Sequence, residues 1–232
     1  MTQPRALFEA VGGTTAVRLR VGRTGRHRNA VPCVILSHGQ GIAVETAEGT
    51  VHADAVFVRA GWDHTVDFFG GSADVIYLET PLAVSDSDGP AIGLSRELTR
   101  FLELSVECWS DDAAMELLDR LGPSSHRDDP AMTRIMQHIQ FDPMARLSET
   151  AAARLVGIER TTMLRHFKRQ AGMTFRAYKN WTALKHASRL AQKGEALGSA
   201  GLDAGFADAA HFSRRFGSTF GLTPTVAIRS LL

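Results

Sequence analysis

The sequence has few cysteines, little net charge and no long apolar run. Cys33 and Cys108 are its only cysteines and fit no metal-ligand spacing, which favours a reducing compartment with both thiols in the core. No stretch approaches the ~18 apolar residues of a membrane span, and the first residues lack the apolar segment of a signal peptide. The sequence therefore predicts a cytoplasmic protein with no membrane partner.

Motifs for catalysis are also missing. There is no G-x-S-x-G, no phosphate-binding loop and no G-x-G-x-x-G after a predicted strand. The aspartate pairs at 111–112 and 128–129 are typical of solvated loops. We therefore predict no catalytic residue, no metal and no cofactor.

The formal net charge of +1 conceals two halves of opposite sign. Residues 131–232 carry a net charge of +9, whereas residues 1–130 carry −8. A basic half beside an acidic half indicates two modules, one of them suited to a polyanion. Two solvated surfaces that dock on each other would explain the same asymmetry.

The hydrophobic pattern predicts an α+β protein in three segments. Short apolar segments separated by glycines over 1–82 predict a small β-sandwich or barrel. Residues 86–125 have the spacing of two helices, the second capped by Ser110, which suit a connector or a dimerisation surface. Residues 130–232 are helical throughout.

The helical segment contains an internal repeat. Placing each residue beside the one 49 positions later aligns ERTTMLRHFKRQAGMTF (159–175) with DAAHFSRRFGSTFGLTP (208–224). Arg165 then coincides with Arg214, and Phe167 with Phe216. Each copy predicts a helix, a glycine turn, a second helix and a threonine cap. This is the helix-turn-helix pattern, whose second helix enters the major groove of DNA.

Capping residues, glycines and the spacing between the copies add detail to the predicted helices of the repeat. Asp208 is a good N-cap for its helix, whereas Glu159 is a poor one for the first copy. Gly201 stands where a helix former is expected, at a cost of about 1 kcal/mol. Between the copies, Thr174 to Lys193 lacks glycine and proline, which predicts one helix of roughly 30 Å. Such a helix could hold two recognition helices in successive major-groove faces, roughly 34 Å apart.

These motifs, above all GFADAAHFSRRFGSTFGLTP, resemble the paired helix-turn-helix domain of AraC/XylS-family transcription regulators over about residues 135–229. The resemblance implies double-stranded DNA as a partner, a homodimer through the connector helices, and RNA polymerase as a further candidate partner. It implies base reading from Thr161, Arg165, His211 and Arg214, although a phosphate contact or a packing role for His211 is as well supported. The basic residues expected to meet phosphates are Lys168, Arg169, Lys185, Arg189 and Arg215.

The segment HADAVFVRAGWDHTV resembles the late strands of the cupin-like sensor domains found ahead of such DNA-binding domains. Its candidate ligand-pocket residues are Arg59, Trp62, His64 and His52. A metal-binding cupin would need further clustered histidines, so a small-molecule pocket is favoured over a metal site. Simple packing roles for Trp62 and His64 explain the pattern equally well.

The sequence therefore predicts a sequence-specific double-stranded DNA-binding transcription regulator. A small molecule or another signal would control it through the N-terminal domain. Two alternatives stay open. The first half could be a cupin-type enzyme tethered to DNA by the second, or the chain could be an architectural DNA-binding protein without a ligand.

Overall fold

The computed structural model describes residues 9–11, 13–80, 82, 89–122, 129–143 and 147–230. Within these ranges the N-terminal half forms two antiparallel sheets, one with strand order β1-β2-β9-β4-β7-β10 and one with order β3-β8-β5-β6. The strands are β1 (Glu9–Val11), β2 (Thr14–Arg20), β3 (His27–Arg28), β4 (Cys33–Ser37), β5 (Ile42–Thr46), β6 (Gly49–Ala53), β7 (Ala55–Val58), β8 (Asp63–Asp67), β9 (Ser72–Leu78) and β10 (Ala91–Gly93).

The larger sheet is buried on both faces. On β4, Cys33 and Ile35 face the interior of the sandwich, whereas Val34 and Leu36 face a second hydrophobic cluster formed with the connector helices. A strand buried on both faces is apolar at successive positions instead of alternating. The burial explains why CVIL is an uninterrupted apolar run, and the predicted β-sandwich is confirmed.

Two helices, α1 (Arg96–Ser105) and α2 (Asp111–Arg120), cover the outer face of this sheet. Ser110 caps α2 by accepting the N–H of Ala113, as predicted. The sheet continues beyond residue 82, because β10 pairs with β7. Cys33 is buried, but Cys108 is exposed, so the expectation that both thiols lie in the core is wrong for Cys108.

The C-terminal half is helical and contains both predicted helix-turn-helix units. The long helix between them, α6, has 18 residues and a length of about 27 Å. None of the described helices is long and apolar enough to cross a bilayer. The helices are α3 (Pro130–Phe141), α4 (Glu149–Val156), α5 (Arg160–Ala171), α6 (Phe175–Gln192), α7 (Leu197–Asp203), α8 (Ala209–Phe220) and α9 (Pro224–Arg229).

The two halves share one hydrophobic core. The buried cluster inside the sandwich continues without a break into the helical domain. At the junction the Tyr77 ring lies 5.2 Å from the ring centre of Trp181 and 5.7 Å from that of Phe220. The halves therefore dock through aromatic side chains, and not only through surfaces of opposite charge.

Gly201 owes its place to the packing of α7 on α8. A Cβ atom at this position would lie 2.9 to 3.1 Å from three side-chain atoms of Phe212. Real Cβ atoms essentially never approach closer than 3.0 Å, as this one would to Cγ of Phe212, and the contact with the Phe212 Cβ at 3.0 Å is also tighter than most. The glycine lets two helices approach at a cost in helix propensity.

We expect Gly201→Ala to lower the free energy of unfolding by about 1–3 kcal/mol, because it overpacks the contact with Phe212. Gly198→Ala is the matched control in the same helix. Its Cβ would lie 3.8 Å from the Cβ of Ala209, so it should be neutral or stabilise by up to about 1 kcal/mol. Urea unfolding measures both variants, and a Gly201→Ala protein as stable as the wild type would contradict the crowding.

Candidate DNA-binding surface and interdomain cavity

Glycines make the turns in both helix-turn-helix units. Gly157 follows α4 with φ +70°, and Gly205 follows α7 with φ +85°. Both values lie in the left-handed region that favours glycine. The aligned Gly-Ile and Gly-Phe pairs of the repeat therefore have the same backbone role.

Both recognition helices, α5 and α8, have a carboxylate at the N-cap. Asp208 accepts the N–H of His211 at 2.6 Å, as predicted. Glu159 also caps its helix, accepting the N–H of Thr162 at 2.9 Å, so the expectation of a poor cap is wrong. Hydrogen bonds from the backbone N–H groups of Thr161 and Thr162 lower the pKa of Glu159. The longer glutamate side chain folds back over the helix terminus, where a negative charge is favoured.

The residues predicted to read bases lie mostly at the surface. Thr161, Arg165 and Arg214 are exposed. His211 is half-buried, with its ring 5.5 Å from that of Phe206. Its Nδ1 is buried and has no hydrogen-bond partner within the described part of the chain, so Nε2 is the ring nitrogen that can face a ligand. The apolar sides of both helices point inward, because Met163, Phe167, Phe212 and Phe216 are buried.

Among the residues predicted to contact phosphates, Lys168, Arg169 and Arg215 are exposed and Arg189 is half-buried. Lys185 is different, with only 4% of its surface exposed. Its Nζ lies 2.5 and 2.7 Å from the two carboxylate oxygens of Glu79. A phosphate contact for Lys185 does not fit this structure, because the β-domain covers that face of α6.

The ion pair of Lys185 joins α6 to the segment that follows β9. Glu79 also accepts a hydrogen bond from the Thr15 hydroxyl at 2.5 Å. Burial lowers the pKa of Lys185, and the carboxylate of Glu79 opposes this effect. A buried pair with additional hydrogen bonds fixes the orientation of its neighbours, because removing either partner leaves a buried charge uncompensated.

The end of the second recognition helix is held by the β-domain. The N–H of Gly25 donates to the carbonyl of Gly221 at 2.7 Å. Gly221 itself ends α8 with φ +70°. A Cβ at Gly221 would lie 2.5 Å from Nδ1 of His27 and 2.6 Å from the carbonyl oxygen of Gly25. Glycine is therefore needed here both for the backbone angle and for the contact between domains.

A cavity of about 50 Å³ lies between the sandwich and the second helix-turn-helix unit. Its walls are largely apolar and include three phenylalanines of α8, but two of its lining residues have a buried polar atom with no hydrogen-bond partner among the described residues. These are Nε2 of His64 and Oδ1 of Asn29, both buried. Buried polar atoms without partners are rare in native proteins, and ligand pockets combine apolar walls with a few such groups. The lining side chains from α8 are Phe212, Phe216 and Phe220.

Two stacked histidines determine the chemistry of the cavity. His27 on β3 is opposite His64 on β8, with ring centres 4.1 Å apart. Burial, and then the neighbouring His64, lowers the pKa of His27 to about 4, and burial also lowers the pKa of His64. His64 Nδ1 lies 2.9 Å from the carbonyl oxygen of Trp62, so this nitrogen carries the proton. The neutral ring therefore presents Nε2 as a bare hydrogen-bond acceptor.

The predicted pocket residues do not form one site. His64 lines the cavity, whereas Arg59 and Trp62 line a separate pocket of about 220 Å³ beside the end of α5. His52 is exposed on β6 and lines neither pocket. No three His, Cys, Asp or Glu side chains among the described residues are grouped as a metal site requires.

Two cavity residues, His27 and Asn29, were missing from the predicted pocket. They belong to the stretch GRTGRHRNA (22–30), whose arginines indicate an exposed loop. Its uncharged polar residues Thr24, His27 and Asn29 are nevertheless buried. Because their sequence spacing is irregular, no simple periodicity could have revealed a buried face.

Comparison with known proteins supports this architecture. Residues 152–230 match a family model described as a helix-turn-helix domain. ToxT from Vibrio cholerae, in an apo variant, superposes with a TM-score of 0.64 at 11% identity, covering 97% of this chain and all of that one. Wild-type ToxT from the same organism, solved with an unsaturated fatty acid bound, has a TM-score of 0.62 at 12% identity and covers 100% and 98% of the two chains.

An AraC-type regulator from Chromobacterium violaceum is 27% identical over 43% of this chain and 90% of its own, with a TM-score of 0.41. A search among curated proteins gave no match.

The paired units and their exposed basic helices define a helix-turn-helix DNA-binding protein. The domain at residues 152–230 is a helix-turn-helix domain of the AraC type. The β-sandwich and the helical domain together have the fold of ToxT.

The depressed pKa of His27 makes stability depend on pH. Between pH 6.5 and about 4 the unfolded chain binds a proton at His27 that the folded chain does not bind. The free energy of unfolding should therefore fall as the pH drops through this window, by up to about 3 kcal/mol. Urea unfolding at several pH values should show a smaller loss for His27→Phe than for the wild type. The exposed His138, changed to Phe, is the control, and parallel curves for wild type and His27→Phe would contradict the expectation.

Proposed function

We propose that this chain is a DNA-binding transcription regulator of the AraC type, controlled by a small molecule that binds between the β-sandwich and the second helix-turn-helix unit. One observation carries the proposal. The cavity that contains the unpaired Nε2 of His64 is walled by phenylalanines of the recognition helix α8. A ligand there would touch the sensor domain and a DNA-reading element at once, as differential binding to two states requires.

The cavity favours a mostly apolar ligand that ends in a hydrogen-bond donor. Its two unpaired atoms, Nε2 of His64 and Oδ1 of Asn29, are both acceptors. Both histidines are neutral near pH 7, so the cavity offers no positive charge to a carboxylate. The fatty acid bound to ToxT supports a lipid-like molecule, but an O–H or N–H group suits this chain better than an ionised acid.

Ligand entry would require the domains to move. A volume of about 50 Å³ accepts only the end of a lipid-like molecule. Because α8 and α9 form one side of the cavity, widening it would displace the second unit from the β-domain. The ligand would thereby change the spacing of the two recognition helices on DNA.

For DNA contact we propose that Arg165 and Arg214 read guanine edges, with Thr161 and His211 beside them. Lys168, Arg169 and Arg215, and more weakly Arg189, would neutralise phosphates. Support comes from the exposure of both arginines on helices whose opposite sides are buried. Bidentate pairing of arginine with guanine is the commonest specific contact in the major groove.

The connector helices are our proposed homodimer surface, since Leu104 and Met115 remain exposed there after both helices pack on the sheet. RNA polymerase is the partner we infer for the regulator at a promoter. We infer that the protein binds DNA in the cytoplasm, where the bacterial chromosome lies.

The effector proposal is tested by footprinting the DNA beside the protein's own gene, with palmitoleyl alcohol or palmitoleic acid added. We expect the alcohol to change DNA affinity at a lower concentration than the acid at pH 7.5. His64→Phe replaces the unpaired acceptor with a ring of similar size, and should abolish the response while DNA affinity without ligand is retained. His138→Phe, at an exposed histidine, is the matched control.

Two other outcomes would replace the proposal. DNA binding that none of a panel of apolar metabolites alters would favour a ligand-independent architectural protein. A stoichiometric metal in the purified protein, with turnover of a small substrate, would favour a tethered cupin-type enzyme.

Base contacts and phosphate contacts can be distinguished by their effect on sequence preference. Arg214→Ala should relax discrimination at one base step by about 1–3 kcal/mol, because a base contact is lost. Lys168→Ala should weaken binding to all sequences alike, because phosphates are the same everywhere. Competition binding with single-base operator variants measures both, and equal losses across all sequences for both proteins would remove the base-reading role of Arg214.

A further inference from the structure

The β-domain has an arginine-rich loop at residues 22–30, which lies between β2 and β4 and includes the two-residue strand β3. In this loop the uncharged polar side chains are buried and the charged ones are exposed. Thr24, His27 and Asn29 are buried and line the interdomain cavity, whereas the three arginines are exposed. The exposed residues are Arg23, Arg26 and Arg28.

Hydrogen bonds hold the loop at one place on the second helix-turn-helix unit. Thr24 is bonded on both sides to Val66, its N–H donating to the carbonyl at 2.9 Å and its hydroxyl accepting the Val66 N–H at 2.8 Å. Gly25 then donates to Gly221 at the end of α8. The next residue, Arg26, is therefore positioned by the backbone on either side of it.

Arg26 borders a cleft of about 800 Å³ between this loop, α6 and the C-terminal parts of α5 and α8. The other cationic side chains around it are Arg28, Lys168 and Arg215. Arg28 is already engaged, with its guanidinium 2.7 Å from the carboxylate of Asp63. Among the described residues Arg26 forms no ion pair. The pKa of Asp63, which also lines the cleft, is lowered mainly by its hydrogen bond with Arg28 and less by the charge of Arg26, so the Arg26 guanidinium is left to meet a ligand.

The cleft lies at the C-terminal ends of two rows of side chains, one on α5 and one on α8, which we call the DNA-facing stripes. On α5, Lys168 follows Thr161 and Arg165 at positions i+7 and i+3, so the three side chains share one face. On α8, Arg215 lies four residues after His211 and shares its face in the same way. A duplex lying along both stripes would therefore bring its backbone to the mouth of this cleft.

We propose that the arginine loop is a third DNA-contacting element, in which Arg26 of the β-domain neutralises a backbone phosphate between the two recognition helices. This inference rests on the proposed contacts of α5 and α8 with DNA. It favours DNA over a small anion because the cleft's cations come from both DNA-binding units as well as from the loop. The β-domain then adds to DNA affinity while it is docked.

Binding of the full-length protein to a labelled duplex, measured by fluorescence anisotropy at several KCl concentrations without effector, tests the inference. We expect Arg26→Ala to reduce the slope of log K against log salt by about one, the value for one lost phosphate contact. Operator and scrambled duplexes should lose affinity by the same factor. Arg26→Lys should retain the wild-type slope, because a phosphate contact needs only a positive charge.

Arg20→Ala is the matched control, because it removes an exposed β-domain arginine outside the cleft and should leave the slope unchanged. An Arg26→Ala slope equal to the wild type would overturn the inference alone, as would tighter binding by this variant. Displacement of DNA by inorganic phosphate at an Arg26-dependent site, without a change in slope, would assign the cleft to a small anion instead. A wild-type chain whose DNA binding is independent of salt would overturn the proposed DNA contacts as well.

Discussion

The aromatic contact of Tyr77 with Trp181 and Phe220, beside the buried pair of Lys185 and Glu79, is the interaction on which the rest of this structure depends. It connects a sheet strand to the long helix and to the end of a recognition helix. Without it the sandwich would expose its apolar interior, because α8 and α9 cover the open end. The apolar surface supplies most of the stabilisation, and the buried charges define one orientation.

This junction makes the two helix-turn-helix units unequal. The second unit is fixed to the β-domain through Gly221, and its phenylalanines line the cavity. The first unit lies beside the β-domain near the end of α5, at the pocket lined by Arg59 and Trp62. A signal in the β-domain would therefore reach the second unit first. On that unit the exposed Ala209 and Ala210 begin the recognition helix α8, and their side chains have no hydrogen-bonding groups.

The role of a residue could be predicted from the sequence where that role depends on its neighbours in the chain. The repeat, the threonine cap of α6 and the inward phenylalanines follow from periodicity and capping, and the structure has each of them. Roles that depend on contacts with distant segments could not be predicted from the sequence. Lys185 is a basic residue of the kind that contacts phosphates, but its ammonium group pairs with Glu79, 106 residues away in the sequence. Gly201 has poor helix propensity, but its lack of a side chain leaves room for Phe212. His52 and His64 look alike in sequence, yet only His64 faces the cavity.

Periodicity, turn glycines and capping residues are short-range properties, and they were sufficient to define a paired helix-turn-helix protein with a β-domain ahead of it. Which basic residues stay free, which histidines lose their charge and where a ligand could enter depend on the docking of the two domains. Docking removes water from particular side chains, and desolvation changes both the charge and the reach of an ionisable group. The net charge of the C-terminal half therefore predicted the kind of partner, whereas burial selects which of its lysines and arginines can meet that partner.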